Sequence, residues 1–368
     1  MTICTPSADV SRTDCGRAAG ALHRWLASGA TQSGSGALCG WREESTGELS
    51  APYPEITGYA LTFLARPDLG SAEAACAAKA ARWLLARAGA GDFRARPEKT
   101  AGAVYTFDLA MIAHGLLRLG QVSAAPRLVD SGLAYADLLV RAADKHGSLP
   151  TVLPGTAPGS LPEAWSTCGG VHLLKTVQAL LSAADQGLAG AADLAASLVA
   201  GTDAWQKPHA FPPPTQPGST LISLHALCYA AEGLWMWARH TGDSQALGRS
   251  RALTSWVWRQ RLPTGGFPGF VDLTPDARNG TPAAGRQSDV FAQALRLALL
   301  HRLPQVDTDA QAALLQADLC HLTDGRAALP YRPGAPERHL NTWASMFAAQ
   351  ALRLAAVPDP TMNWQELV

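Results

Sequence analysis

Tyr53-Pro54-Glu55-Ile56-Thr57-Gly58-Tyr59 sets one carboxylate among phenol rings. A carboxylate there can move protons, and sugar faces stack on such rings. Pro54 and Glu55 also suit the first turn of a helix, where an acid offsets the positive end of the dipole. Tyr105-Thr106-Phe107-Asp108 repeats the arrangement one helical turn wide, ahead of the apolar run Leu109-Ala110-Met111-Ile112-Ala113. A carboxylate heading a buried helix is either a dipole partner or a working group, because burial without a partner is costly. Leu161-Pro162-Glu163-Ala164-Trp165 adds Glu163 beside an indole, with a solvated loop acid as the plainer reading. His225 and Tyr229 are four apart and share one helical face. An imidazole there is a proton carrier or a hydrogen-bonded core group. Asp289 stands behind Arg286 and four residues ahead of Gln293, and the stretch 336–343 packs Arg338, His339, Asn341 and Trp343 into the densest polar and aromatic cluster of the chain.

As chemistry, Glu55, Asp108 and Asp289 are candidate general acids and bases, and His225 and His339 are candidate proton carriers. Tyr53, Tyr59, Tyr105, Glu163, Trp165, Arg286, Gln293, Arg338, Asn341 and Trp343 are candidate contacts to a hydroxyl-rich ligand. No metal and no other cofactor is implied. The seven cysteines are scattered and form no C-x-x-C pair, and only Cys168, Cys228 and Cys320-His321 offer the two thiols and imidazole that a zinc cyclase needs.

These groups need helices to hold them. Apolar residues recur at three- and four-residue spacing in twelve windows: 17–28, 55–66, 71–88, 104–119, 124–143, 165–184, 191–205, 220–240, 244–260, 287–302, 307–321 and 339–355. Strand-like alternation is almost absent. Two window types alternate at a period of 50 to 65 residues, one ending in Trp-rich stretches such as Trp256-Val257-Trp258, the other small and apolar nearly all round. The second type must be buried on both sides. The fold expected is therefore all-α, an (α/α)6 toroid of six inner and six outer helices, in one domain over 1–368 with 1–16 a flexible tail. The long loops precede inner helices and the short ones follow them. That asymmetry builds a funnel at the N-terminal ends of the inner helices, where five of the six openings carry an acid.

Composition narrows the partners. Lys plus Arg and Asp plus Glu number 30 each, so the basic footprint of a nucleic-acid binder is missing. No segment reaches the roughly 20 apolar residues of a membrane span, and the charged start of the chain does not read as a secretory signal. A cytoplasmic protein without a membrane or nucleic-acid partner is expected, with self-association left open.

The Tyr53–Tyr59 stretch, Phe107-Asp108, Leu224-His225 with Tyr229 and Gly233-Leu234, Asp289 with 292–297, and Asn341-Thr342-Trp343-Ala344 resemble bacterial six-hairpin toroid proteins encoded with exopolysaccharide genes. The resemblance spans about residues 40–354. It implies kinship with unsaturated glucuronyl hydrolases, other six-hairpin glycosidases and N-acylglucosamine 2-epimerases. The activity expected is hydrolysis of a uronic-acid or amino-sugar glycan by paired carboxylates. A sugar 2-epimerase working through His225 and His339, a glycan-binding protein of a polysaccharide pathway, and a toroid cyclase of natural-product biosynthesis are the alternatives.

Overall fold

The computed structural model describes residues 11–94, 102–157, 161, 163–206, 211–274, 285–357 and 360–368. In chain order its helices are α1 (Arg12–Ala27), α2 (Pro54–Leu64), α3 (Ser71–Gly89), α4 (Thr106–Val122), α5 (Pro126–Ala142), α6 (Trp165–Cys168), α7 (Val177–Ala184), α8 (Ala191–Ala200), α9 (Leu224–Thr241), α10 (Ser244–Arg259), α11 (Ser288–His301), α12 (Thr308–Ala317) and α13 (Thr342–Ala355). Short strands lie between them: β1 (Trp41–Glu43), β2 (Leu221–Ser223), β3 (Phe270–Asp272), β4 (Cys320–His321), β5 (Ala327–Pro330) and β6 (His339–Asn341).

Every residue of α2 is buried, whereas α5 buries only Gly132, Tyr135, Ala136 and Leu139. That contrast sorts the helices into two layers. The inner ring runs α2, α4, α7 with the 3-10 turn Val171–Thr176, α9, α11 and α13, and closes where α13 meets α2. Each inner helix packs on the outer helix that follows it, and α13 closes the ring by packing on α1, so the first and last helices form the sixth pair. This is the (α/α)6 toroid.

Local chemistry places the boundaries. Ser11 and Asp14 form a reciprocal cap on α1, and the side chains of Asp243, Asp307 and Asn341 accept first-turn amides of α10, α12 and α13. Residues 12–16 are therefore helical, a correction to the expected tail, and residues 1–10 lie outside the described residues. Gly58 and Gly115 let α2 and α4 touch backbone to backbone: a methyl at Gly58 would stand 2.6 Å from Met111 O, and one at Gly115 would collide with Gly58 O. Gly115→Ala is expected to lower stability by about 1–3 kcal/mol through this overpacking, read as a drop in the thermal midpoint.

Several expected helices are shorter or broken, among them the window 220–240, whose residues 221–223 are strand β2. The window 165–184 is interrupted at Gly169-Gly170, where the backbone turns extended and runs so close to Thr215 O and Trp165 O that a Cβ at 169 would strike both. Residues 320–321 and 339–341, expected as helix ends, are strands β4 and β6. They belong to a four-stranded sheet of order β1-β6-β5-β4, all of its pairs antiparallel, with Trp41 opposite Asn341 and Glu43 opposite His339. A second pair joins β2 to β3.

At the end of the ring opposite the inner-helix N-termini, residues 364–368 form a plug. Gln178 Nε2 donates to Trp364 O and Leu367 O, Gln350 Nε2 donates to Glu366 O, and Leu367 and Val368 are fully buried. No helix among the described residues is long and apolar enough to cross a membrane.

Buried imidazoles make this scaffold acid-sensitive. His114 bonds Ser182 Oγ and Gln365 O, and His301 bonds Ser250 Oγ. Burial drives the pKa of His114 and His172 down to about 3 and that of His301 to about 4. The unfolded chain binds these protons near pH 6.5, so below that pH the unfolded state holds more protons than the folded one and gains on it. The three together are expected to remove about 2 kcal/mol of stability between pH 7 and pH 6, measurable from urea midpoints.

Candidate active site

All six inner-helix openings converge on one funnel of about 860 Å³. Helix α2 contributes Tyr53 at its N-cap and Glu55, α4 contributes Tyr105 at its N-cap, Phe107 and Asp108, and α6 contributes Trp165. His172 enters from the 3-10 turn, His225 and Tyr229 from α9, Asp289 from α11, and Asn341 and Trp343 from the start of α13. The three acids sit in first turns, where the helix dipole favours negative charge. Glu55, Asp108 and Asp289 are each under 9% exposed, so each carboxylate is held at the funnel wall rather than in open solvent.

Asp289 is held from two sides. Its Oδ1 accepts Val290 N at 2.8 Å, and its Oδ2 accepts Trp343 Nε1 at 3.2 Å. His225 Nδ1 lies 3.8 Å from the same Oδ2. The charge of Asp289, and then burial, push the Tyr331 phenol far above its ordinary pKa. Tyr229 is raised first by burial and next by the charge of Glu55, with Asp289 adding to it. Tyr229 is therefore a neutral hydroxyl within electrostatic reach of two of the three acids.

Rings line the rest. Trp165 stands edge-on to both His172 and His225, with centroids 5.2 and 5.7 Å away, and His225 lies 4.3 Å from Tyr229. His172 is a poor proton acceptor, because burial and the neighbouring His225 hold its pKa near 3. On the opposite wall Trp41 stacks flat on His339 at 4.0 Å and 6°, and His339 Nε2 is 3.5 Å from Glu43 Oε2.

Five of the expected contacts lie elsewhere. Tyr59 is 2% exposed and Gln293 fully buried; each falls one helical turn below its acid, Glu55 or Asp289, and so forms the layer under the funnel floor. Arg286 turns outward to pair with Asp318. Arg338 pairs with Glu44 and bonds Cys320 Sγ, because residues 339–341 are a strand whose period of two sends His339 and Asn341 into the funnel and their neighbours away from it. Glu163 is exposed and does not line the cavity.

The lip was not legible in the sequence. Trp41 on β1 and Tyr331 and Arg332 in the β5–β6 connection line the mouth, brought there by strands too short to leave a periodic signal; Glu337, from the cluster at 336–343, joins them. Among the described residues no group of three or more His, Cys, Asp or Glu is placed to hold a metal ion. Cys228 is fully buried in α9, and Cys320 lies in β4.

No protein-family model and no curated protein sequence matches the chain. Solved structures do match. The unsaturated glucuronyl hydrolase of Bacillus sp. GL1, responsible for glycosaminoglycan degradation, superposes with a TM-score of 0.68 at 14% identity, over 92% of this chain and 96% of its own. The cellobiose 2-epimerase of Spirochaeta thermophila gives 0.66 at 15% identity over 94% and 96%. A sugar epimerase from a ruminal bacterium gives 0.69 at 11% identity over 94% and 98%. This chain thus shares a fold with six-hairpin toroid hydrolases and epimerases.

Proposed function

We propose that this chain, built on the toroid shared by glycan hydrolases and sugar epimerases, is a carbohydrate-active enzyme that hydrolyses a glycosidic bond in a uronic-acid or amino-sugar glycan. One observation carries the reading: Glu55, Asp108 and Asp289, from three different inner helices, line a single cavity walled by Trp41, Tyr53, Tyr105, Trp165 and Trp343. Glycoside hydrolysis needs one carboxyl group to protonate the leaving oxygen and another to activate water or attack the sugar. Asp289, held by donors at both oxygens, presents a fixed carboxylate and takes the base role. Glu55 and Asp108 supply the acid. The rings stack on sugar faces, and the buried floor keeps bulk water from the back of the site.

The test is a panel of unsaturated uronides and N-acyl hexosamines incubated with the full chain and followed by proton NMR. Hydrolysis is expected to release a new reducing end from a member of the panel. A product of unchanged mass with one inverted carbon would overturn hydrolysis in favour of epimerisation. That second reading has its own support, since His225 and His339 both line the funnel. Two proton carriers beside a sugar carbonyl are what a 2-epimerase requires.

A further inference from the structure

Beneath the funnel floor lies a buried ionic cluster that no step of the proposed hydrolysis uses. Lys175 Nζ donates to Glu232 Oε2 at 2.7 Å, Arg296 donates to Oε1, and all three side chains are fully buried. The connection continues upward. Gln293 Nε2 donates to Glu232 Oε1 at 3.2 Å, and Gln293 Oε1 lies 2.6 Å from His225 Nδ1. Because His225 lines the funnel, an unbroken chain of polar contacts runs from the buried charges to a ring at the ligand surface.

Each link sets the direction of the next. Burial alone would raise the Glu232 carboxyl, but Arg296 and then Lys175 outweigh it and hold the group below its ordinary pKa, so it only accepts hydrogen bonds. An acceptor there requires the amide NH2 of Gln293, which turns the Gln293 carbonyl oxygen toward His225. That oxygen requires an N–H in return, so Nδ1 carries the proton. Asp289 Oδ2, 3.8 Å from the same nitrogen, is a second acceptor on that side. In a neutral imidazole the lone pair then belongs to Nε2. Among the described residues no hydrogen bond engages Nε2, and the side chain keeps 13% of its surface open.

We propose that Glu232 and Gln293 are positioning residues that lock His225 in the Nδ1–H tautomer and present the Nε2 lone pair to a hydroxyl of the ligand in the funnel. The identity of that hydroxyl rests on the saccharide reading; the tautomer does not. It gives the site a nitrogen acceptor beside its acids, one whose direction is set from below rather than by the ligand.

Histidine side-chain nitrogens of the full chain, labelled with nitrogen-15 and observed in a long-range proton–nitrogen spectrum where the imidazole is neutral, decide the matter without any substrate. His225 is expected to show a protonated Nδ1 and a bare Nε2, assigned by the signals missing in His225→Gln. A proton on Nε2 in the wild type overturns the proposal. Gln293→Leu is expected to shift His225 toward the Nε2–H form that histidine prefers in water, whereas Gln293→Glu keeps an oxygen toward Nδ1 and should retain the wild-type tautomer. If Gln293→Leu leaves the tautomer unchanged, the positioning role is refuted, and if that variant does not fold the wild-type spectrum and Gln293→Glu still decide. With a saccharide substrate in hand, Gln293→Leu should raise KM about tenfold, the loss of one hydrogen bond. The expected tautomer in a protein that turns over none of the saccharide panel supports this inference and counts against hydrolysis.

Discussion

Glu55→Gln and Asp108→Asn are each expected to lower turnover of the true substrate about 10²–10⁴-fold, the contribution of one positioned acid or base. Both substitutions keep the size and planarity of the side chain and remove only its capacity to give or take a proton. Both sites lie at the first turn of an inner helix, facing a cavity rather than packed core. Folding should survive, with the thermal midpoint within a few degrees of the wild type. The comparison to make is kcat against that midpoint for each variant. Full turnover in Glu55→Gln would remove Glu55 from the mechanism and leave the acid role to Asp108. Full turnover in both would remove paired-carboxylate hydrolysis and direct attention to His225 and His339.

Glu232→Leu should show the largest effect on stability, a loss of about 3–5 kcal/mol at pH 7. The carboxylate is fully buried and is the shared partner of Lys175 and Arg296, which are fully buried as well. Its removal leaves two buried cations without their carboxylate: Arg296 keeps its bonds to Gln350 Oε1 and Val368 O and the Phe347 ring at 4.8 Å, whereas Lys175 Nζ keeps only weak offsets from the Tyr59 and Tyr229 rings, 5.9 and 5.8 Å away. The two cations then respond differently. Arginine cannot shed its proton, but burial already brings the Lys175 pKa down to about 8 against an ordinary 10.5, with Glu232 the main group opposing that fall.

Without Glu232 the lysine drops further. Between its folded pKa and 10.5 the unfolded state holds a proton that the folded state lacks, so stability rises with pH across that window. Glu232→Leu should therefore recover part of its deficit between pH 7 and pH 9, and Lys175→Met in the same background should recover part of it at pH 7. Urea midpoints at the two pH values measure both. A variant as stable as the wild type at pH 7 would mean that the cluster contributes nothing to the fold.

The two sets of residues differ in how far they could be read from the chain. Helix periodicity depends on neighbours three and four apart, so the inner and outer helices were legible, and with them the end of the ring that opens, since the long loops precede inner helices. Glu55, Asp108, Asp289, His225 and Trp343 follow from that, because each stands in or near the first turn of an inner helix. Depth along a helix was not legible: Tyr59 and Gln293 share a face with their acids yet fall one turn lower, where neighbouring helices close over them. Nor was the lip. Trp41 reaches the funnel only because β1 pairs with β6 some 300 residues later, a contact created by ring closure and carried by strands of three residues.

The Lys175–Glu232–Arg296 cluster was equally hidden, its members lying on three separate inner segments whose apolar surroundings mark them only as core. The sequence by itself determined that twelve helical segments alternate and that acids gather at one end of five of the six inner ones. Only the tertiary structure decided which of those acids share a cavity, which rings face them, and what lies underneath. The physical reason is that periodicity is local, whereas a cavity is made by the approach of segments whose separation in the chain carries no record of their distance in space.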